Sequence, residues 1–311
     1  MPTVSVTIPT YNRSILIKDA INSVLNQSFQ DFEIVIIDDG STDDTKSVIE
    51  SFTDSRIKYF YKENGGCASA RNFGIKNCTG QYIAFLDSDD LWPENFLEIM
   101  IGKLQSNPDY GASYCLIYGR YPDGKEEVKH EARLCKSGKI TKDLFKTGFI
   151  WLQTSVFRRE ALADFHFDNS IRNAADTDAL LRLSTKIKFL FVTETHGILR
   201  LNHGISPRLN SSTFNCNRIR ILERFYYKLG GNRFVDAATA RRKISHAYHH
   251  VAQNFYSISC RKAALYLYFR AIKYWPFDMR LYVCVYKSWM LQKNKDKNPK
   301  WKMPTPLEKN L

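Results

Sequence analysis

The chain has 311 residues, of which 44% are hydrophobic and 14% aromatic, enough apolar material for a large core and too much for a disordered protein. Its formal charge of +13 is unevenly spread: residues 1–210 hold 25 basic and 27 acidic side chains, whereas residues 211–311 hold 20 and 5. That excludes a uniformly basic nucleic-acid binder and predicts two parts with different tasks. Along the chain, Val4 to Pro9 reads as a short strand, and Ile17, Ala20, Ile21, Val24 and Leu25 then recur at helical spacing. Phe32 to Ile37 is a second strand, and Ser41 with Asp44 resembles the capping box of a helix carrying Val48, Ile49 and Phe52. Arg56 to Tyr61, Ala68 to Asn77 and Tyr82 to Leu86 add strand, helix and strand. Continuously apolar strands separated by helices predict an α/β fold with a doubly wound, mainly parallel sheet covered on both faces.

Between about 108 and 175 the pattern loosens, and Pro122-Asp123-Gly124 followed by the charged run Lys125 to Arg133 predicts a hairpin or surface excursion. A helical pattern returns over Asp176 to Leu183, ahead of the apolar run Phe189 to Val192. After Pro207, aromatic and basic residues at helical spacing predict a hairpin of helices through Ala247, Val251, Ala263 and Ala271, with a last helix near 278–292. The seven cysteines include no C-x-x-C pair, which argues against a disulfide framework or a zinc module and for a reducing compartment. No leader pattern and no apolar run of about 20 residues is read, so a cytoplasmic protein is expected.

In a doubly wound sheet, ligands bind beyond the carboxyl ends of the strands. Three polar clusters fall at such ends: Pro9-Thr10-Tyr11-Asn12-Arg13, Asp38-Asp39-Gly40-Ser41 and Asp87-Ser88-Asp89-Asp90. Three carboxylates within four residues repel one another, and a divalent cation would relieve them; oxygen-only ligation suits Mg²⁺ or Mn²⁺. The alternative is a plain acidic loop leading into a helix with Pro93 at its first position and Glu94 in its first turn. There is no G-x-G-x-x-G and no P-loop. Gly65-Gly66-Cys67-Ala68-Ser69-Ala70-Arg71-Asn72 reads as a small-residue loop opening a helix, either an anion cradle or a tight turn bearing a surface arginine.

The order of these elements, with Gly74 after Arg71-Asn72, resembles family 2 glycosyltransferases over roughly residues 3–207. The resemblance implies a GT-A fold, a nucleotide-diphospho-sugar donor with a UDP-sugar as the default, a divalent metal, and direct displacement by an acceptor hydroxyl with inversion. It implies that Pro9, Thr10, Tyr11 and Arg13 line the nucleotide pocket with Gly66 and Ser88. It further implies that Asp39 meets the base, Arg71 the base or phosphates, Asp87 the ribose, and Asp89 the metal. The catalytic base would come from a Glu-Asp pair ahead of a helix; here Asp176 matches the Asp, while Ala175 stands where the family has Glu. Without the resemblance Asp176 is a first-turn helix acid. Asp178 is a helix or acceptor-side residue, and Trp151, like Trp92, is a sugar-stacking or a core residue. His203-Gly204-Ile205-Ser206 resembles the family's H-x-x-S segment, which brings His203 to the metal or diphosphate.

The implied organisation is a catalytic domain over 1–210, with a nucleotide-sugar half to about 110 and an acceptor half beyond it. A basic helical region over 211–292 and a flexible basic tail over 293–311 follow. The implied activity is sugar transfer to a saccharide or lipid-linked saccharide in cell-surface polysaccharide or glycolipid synthesis. The competing reading is a non-catalytic nucleotide-sugar-binding or scaffold protein, with Ala175 as a sign of decay and the intact Asp-x-Asp element against it. Aromatics interspersed with Arg280, Lys287 and Lys293 suggest that 278–302 meets an anionic membrane surface, while 215–275 packs. No nucleic-acid module accompanies the charge. The expected location is therefore the cytoplasm, peripheral on the membrane.

Overall fold

The first strands are built from side chains that need shelter on both faces. β1 (Val4–Thr10) and β2 (Phe32–Asp38) are buried along their whole length in the computed structural model, which describes residues 1–171, 173–201 and 211–290. α1 (Ser14–Leu25) joins them, burying Leu16, Ile17, Ala20, Ile21 and Val24 on one face. α2 (Thr45–Glu50), β3 (Ile57–Tyr61), α3 (Cys67–Asn77) and β4 (Tyr82–Phe85) continue the alternation. All four strands pair in parallel, in the order β3-β2-β1-β4. The predicted elements are present here, with one shift at the second helix. It starts at Thr45, because Ser41 accepts from the Asn12 amide and donates its own amide to Asp38 instead of capping.

Two contacts fix this half. A Cβ on Gly74 of α3 would lie 2.1 Å from Thr7 Oγ1, so only a glycine lets the helix approach β1 this closely. The buried Glu33 carboxylate accepts from Ser5 Oγ at 2.5 Å, Lys58 Nζ at 2.5 Å and the Thr79 amide at 2.7 Å. It thereby ties β1, β2 and β3 to the turn before β4. Burial alone would raise its pKa, but these bonds outweigh it and hold the carboxyl at about 2.

The second half departs from the sequence reading. After β5 (Asp90–Leu91) and α4 (Phe96–Gln105), the stretch expected to be loose contains the long strand β6 (Ala112–Arg120), which pairs antiparallel with β7 (Glu126–Val128) across the Pro-Asp-Gly turn in the hairpin expected there. α5 (Thr141–Thr147), β8 (Ser155–Arg158), α6 (Ala175–Ser184) and β9 (Phe189–Arg200) complete it. The sheet runs on from β4 through β8, β6 and β9 to β5, with β8 antiparallel to β4 and β6, and β6 parallel to β9. Parallel pairing thus gives way to mixed pairing beyond β4. α4 begins at Phe96 and not at Pro93, whose carbonyl instead receives the Phe96 amide and Gln27 Nε2.

The chain divides into two units, Met1–Ile140 with Thr147–Ser206, and Thr141–Lys146 with Pro207–Leu311. In the second, α7 (Ser211–Lys228), α8 (Ala237–Ser257), α9 (Arg261–Tyr274) and α10 (Met279–Met290) follow one another. Its core holds Phe225, Tyr248, Leu267 and Tyr268. Glu223 accepts from the hydroxyls of Tyr248 at 2.8 Å and Tyr274 at 2.7 Å, with Arg270 at 3.4 Å. Among the described residues no helix is long and apolar enough to cross a membrane.

Candidate active site

Parallel pairing of β1 with β2 sets their carboxyl ends side by side, and the following loops are sewn together. The Asn12 side chain accepts from the Thr42 amide at 2.8 Å, and the Arg13 amide donates to Thr45 Oγ1 at 2.9 Å. Asn12 takes φ 51°, a left-handed conformation that asparagine tolerates better than most residues. Tyr11 is exposed at this edge, whereas Thr10 is buried.

Asp39 is buried and committed to its own chain. One oxygen accepts from Lys62 Nζ at 2.6 Å and the Gly65 amide at 3.0 Å; the other accepts from the Gly66 amide at 2.7 Å. The carboxylate therefore shapes the small-residue loop that opens α3. Gly66 sits at φ 85°, and a Cβ added there would meet no atom within 4 Å, so backbone conformation and not space demands glycine.

The three carboxylates after β4 have three different settings. Asp87 accepts from Arg71 at 2.8 Å, and that buried guanidinium also lies 5.6 Å from the Phe167 ring centre. Asp89 stands 3.7 Å from Arg13 Nε, a bridge between the first and third clusters. Asp90 is buried, accepting from Gln153 Nε2 at 2.8 Å and the Arg200 amide at 3.3 Å. Burial, joined by the Asp89 and Asp87 charges, pushes its pKa well above the usual carboxylate range. Asp90 is thus a structural member of the cluster, and Asp87 and Asp89 are the two that face outward. Ser88 between them is buried.

Asp176 lies in the first turn of α6, partly exposed, and its charge acts on Arg71 together with that of Asp87. Ala174, just before the helix, takes φ 63°. Of the two readings of Asp178 the helix one holds: it is buried in α6 and pairs with Arg182 at 2.7 Å, one helical turn on. Trp151 is partly exposed with a buried Nε1 that has no hydrogen-bond partner, while Trp92 stacks on Phe96 at 4.2 Å inside the core. His203 lies outside the described residues.

Among the described residues no group of three or more His, Cys, Asp or Glu side chains gathers as a metal cage. Two carboxylates, Asp87 and Asp89, remain, in the oxygen chemistry of Mg²⁺ or Mn²⁺ sites that are completed by water and substrate phosphates. The donor set fits such an ion on those terms. Three supporting residues escape a reading of the sequence. Lys62 follows β3 as the polar clusters follow their own strands, which is the available signal. Gln153 gives none, and Arg200 shows in the sequence only as the arginine three residues ahead of His203; its guanidinium holds the Asp89 carbonyl at 2.7 Å and the Leu16 carbonyl at 2.9 Å, and meets Asp19 at 2.7 Å.

The profile of Glycosyl transferase family 2 matches residues 5–165. The chain belongs to this family. An uncharacterized glycosyltransferase from Rickettsia felis is 33% identical over 222 residues, 70% of this chain and 36% of the relative. The chain spans about a third of the length of the Rickettsia relatives it matches first. The UDP-Glc:alpha-D-GlcNAc-diphosphoundecaprenol beta-1,3-glucosyltransferase WfgD of Escherichia coli is 32% identical over 246 residues, covering 76% of this chain and 88% of WfgD. Staphylococcus aureus TarS 1–349 in complex with UDP-GlcNAc superposes with a TM-score of 0.66 at 17% identity, over 95% of this chain and 91% of that one. The mannosyltransferase PcManGT of Pyrobaculum calidifontis, in complex with GDP-Man and Mn²⁺, gives 0.56 at 19% identity, over 93% and 87%. This family 2 glycosyltransferase has the GT-A fold, a curled sheet flanked by helices and followed by C-terminal helices.

Proposed function

We propose that the enzyme transfers a sugar, with inversion, from a UDP-sugar to a hydroxyl of a lipid-linked saccharide, in cell-surface polysaccharide or glycolipid assembly. The observation that carries this reading is the convergence of Arg13, Arg71, Asp87 and Asp89 at one edge, with the Asp176 charge acting on the same Arg71. Two cations and two carboxylates suit a diphosphate and its counter-ion, and a third carboxylate on another element suits proton removal. The acceptor class is taken from WfgD, whose name gives a diphosphoundecaprenol-linked sugar, and the donor nucleotide from WfgD and TarS.

In this reading residues 1–110 hold the donor and 111–210 the acceptor, with Trp151 offering an aromatic face to a sugar. Pro9, Thr10 and Tyr11 border the base and ribose with Asp87, and Asp39 holds Gly66 in the shape that the nucleotide meets. Arg13 and Arg71 face the diphosphate. Asp176 accepts the proton of the acceptor hydroxyl as that oxygen bonds to the anomeric carbon and the bond to the β-phosphate oxygen breaks. Asp89, with Asp87 beside it and His203 as a further candidate, would hold Mn²⁺ or Mg²⁺, which would supply Lewis-acid neutralisation of the leaving diphosphate. Residues 211–292 form the basic helical part, and a lipid-anchored acceptor would bring the enzyme to the cytoplasmic face of a membrane through 278–302.

The test is transfer and donor hydrolysis with UDP-sugars and Mn²⁺. Asp176→Asn should lower turnover by about 10²–10⁴-fold without loss of UDP binding, and Asp89→Asn should weaken the Mn²⁺-dependent part of that binding. Turnover that survives in Asp176→Asn removes the base assignment. Nucleotide binding without any transfer in the wild type would leave the non-catalytic reading that Ala175 suggests.

A further inference from the structure

α10 has two apolar stripes, and only one of them is used. Leu281 and Ser288 are buried, with Cys284 and Val285 half-buried between them, and this side packs on α9. On the opposite side Met279, Tyr282, Val283, Tyr286, Trp289 and Met290 recur every three or four residues and are 42–71% exposed. A soluble helix normally turns charges to this side. Six large apolar side chains thus form one continuous row that stays exposed among the described residues.

Charge identifies the partner. Residues 211–290 hold 14 basic and 3 acidic side chains. Each acid is engaged within the unit: Glu223 with Tyr248 and Tyr274, Asp236 with Lys142 at 2.7 Å, and Asp278 with Arg280 at 2.7 Å. On the helical wheel Arg280 and Lys287 fall together on one flank of the exposed row. A row of Tyr, Trp, Met and Val flanked by cations is the composition of a helix that lies in a bilayer interface and meets anionic headgroups. The described 12 residues of α10 cover about 18 Å at 1.5 Å per residue, and among the described residues no helix is long and apolar enough to cross a membrane.

We propose that the exposed row of α10 is a membrane-docking face, lying flat in the interface of an anionic bilayer with its tyrosines and Trp289 among the headgroups. This deepens the lipid-linked reading by naming the surface that meets the membrane, and it rests on that reading for its purpose only. The full chain should co-sediment with vesicles of phosphatidylglycerol and phosphatidylethanolamine, and weakly with phosphatidylcholine alone. The double variant Tyr286→Glu, Trp289→Glu should lose binding by at least tenfold. Arg280→Gln, Lys287→Gln should lose it by several-fold on the anionic vesicles only, with a smaller salt dependence. Circular dichroism and UDP binding should be unchanged in both variants, because the side chains replaced are exposed. Wild-type binding retained in the glutamate variant, or no binding by the wild type, overturns the proposal. So does a dimer in sedimentation velocity that the glutamate variant abolishes, since a second copy would then cover the row. Transfer to a soluble saccharide acceptor is measured alongside: its absence counts against the proposed activity and leaves the docking result standing.

Discussion

Single residues at this site act mostly by holding others. Asp39 spends its oxygens on Lys62 and the Gly65 and Gly66 amides, so the loop in front of α3 is preset before a nucleotide arrives. Gly66→Ala should therefore cost about 1–3 kcal/mol in stability from backbone strain alone, since φ 85° with ψ 165° is open essentially to glycine only, and should weaken UDP binding. Gly102, inside α4 with equally open space, should behave oppositely, and Gly102→Ala should stabilise by about 0.5–1 kcal/mol. Denaturant titration of the two variants compares them directly. The acidic residues are legible in the sequence because they stand where strands end. The division of labour among Asp87, Asp89 and Asp90 is not, since it depends on Arg71, Arg13 and Gln153, which lie 16 to 76 positions away in sequence. Asp178 stays ambiguous in the sequence for a related reason: only the packed helix shows it turned inward to Arg182.

Among the elements, the α3–β1 contact and the Glu33 clamp hold the parallel half together. Gly74→Ala forces a methyl onto Thr7 and should cost about 1–3 kcal/mol, with a lower Tm and weaker UDP binding as α3 moves off the sheet. Glu33 has a folded pKa of about 2, below its ordinary 4.5, so its contribution is complete above pH 4.5 and is lost as pH falls toward 2. Glu33→Gln should remove about 2–3 kcal/mol at neutral pH and flatten the acid limb of the stability profile. β2 and β4 can be read from sequence because strands buried along their whole length are apolar at nearly every position, and β1 and β3 because their β-branched and aromatic residues stand between helix-spaced runs. β6 cannot, because Ala112–Arg120 interleaves Ser113, Cys115 and Gly119 with aromatics. β9 is legible only to Val192, because the exposed Thr193 and Glu194 interrupt the apolar run before the strand continues to Arg200.

For the molecule as a whole, the separation of charge seen in the sequence corresponds to two compact units, an acid-rich sheet and a basic set of helices. UDP with Mn²⁺ should raise the Tm by several degrees, since a ligand at a hundredfold excess over its Kd adds about 2.7 kcal/mol; UDP with a chelator should add much less. Thermal shift across the nucleotides would also rank donors. Arg200 gives the sheet unit a further property. With one guanidinium on the Asp89 carbonyl, the Leu16 carbonyl and Asp19, it makes the last residue of β9, the acidic loop and α1 a single rigid mount. Arg200→Ala should therefore free three elements at once, and amide hydrogen exchange should rise together in the acidic loop, the first turns of α1 and the end of β9.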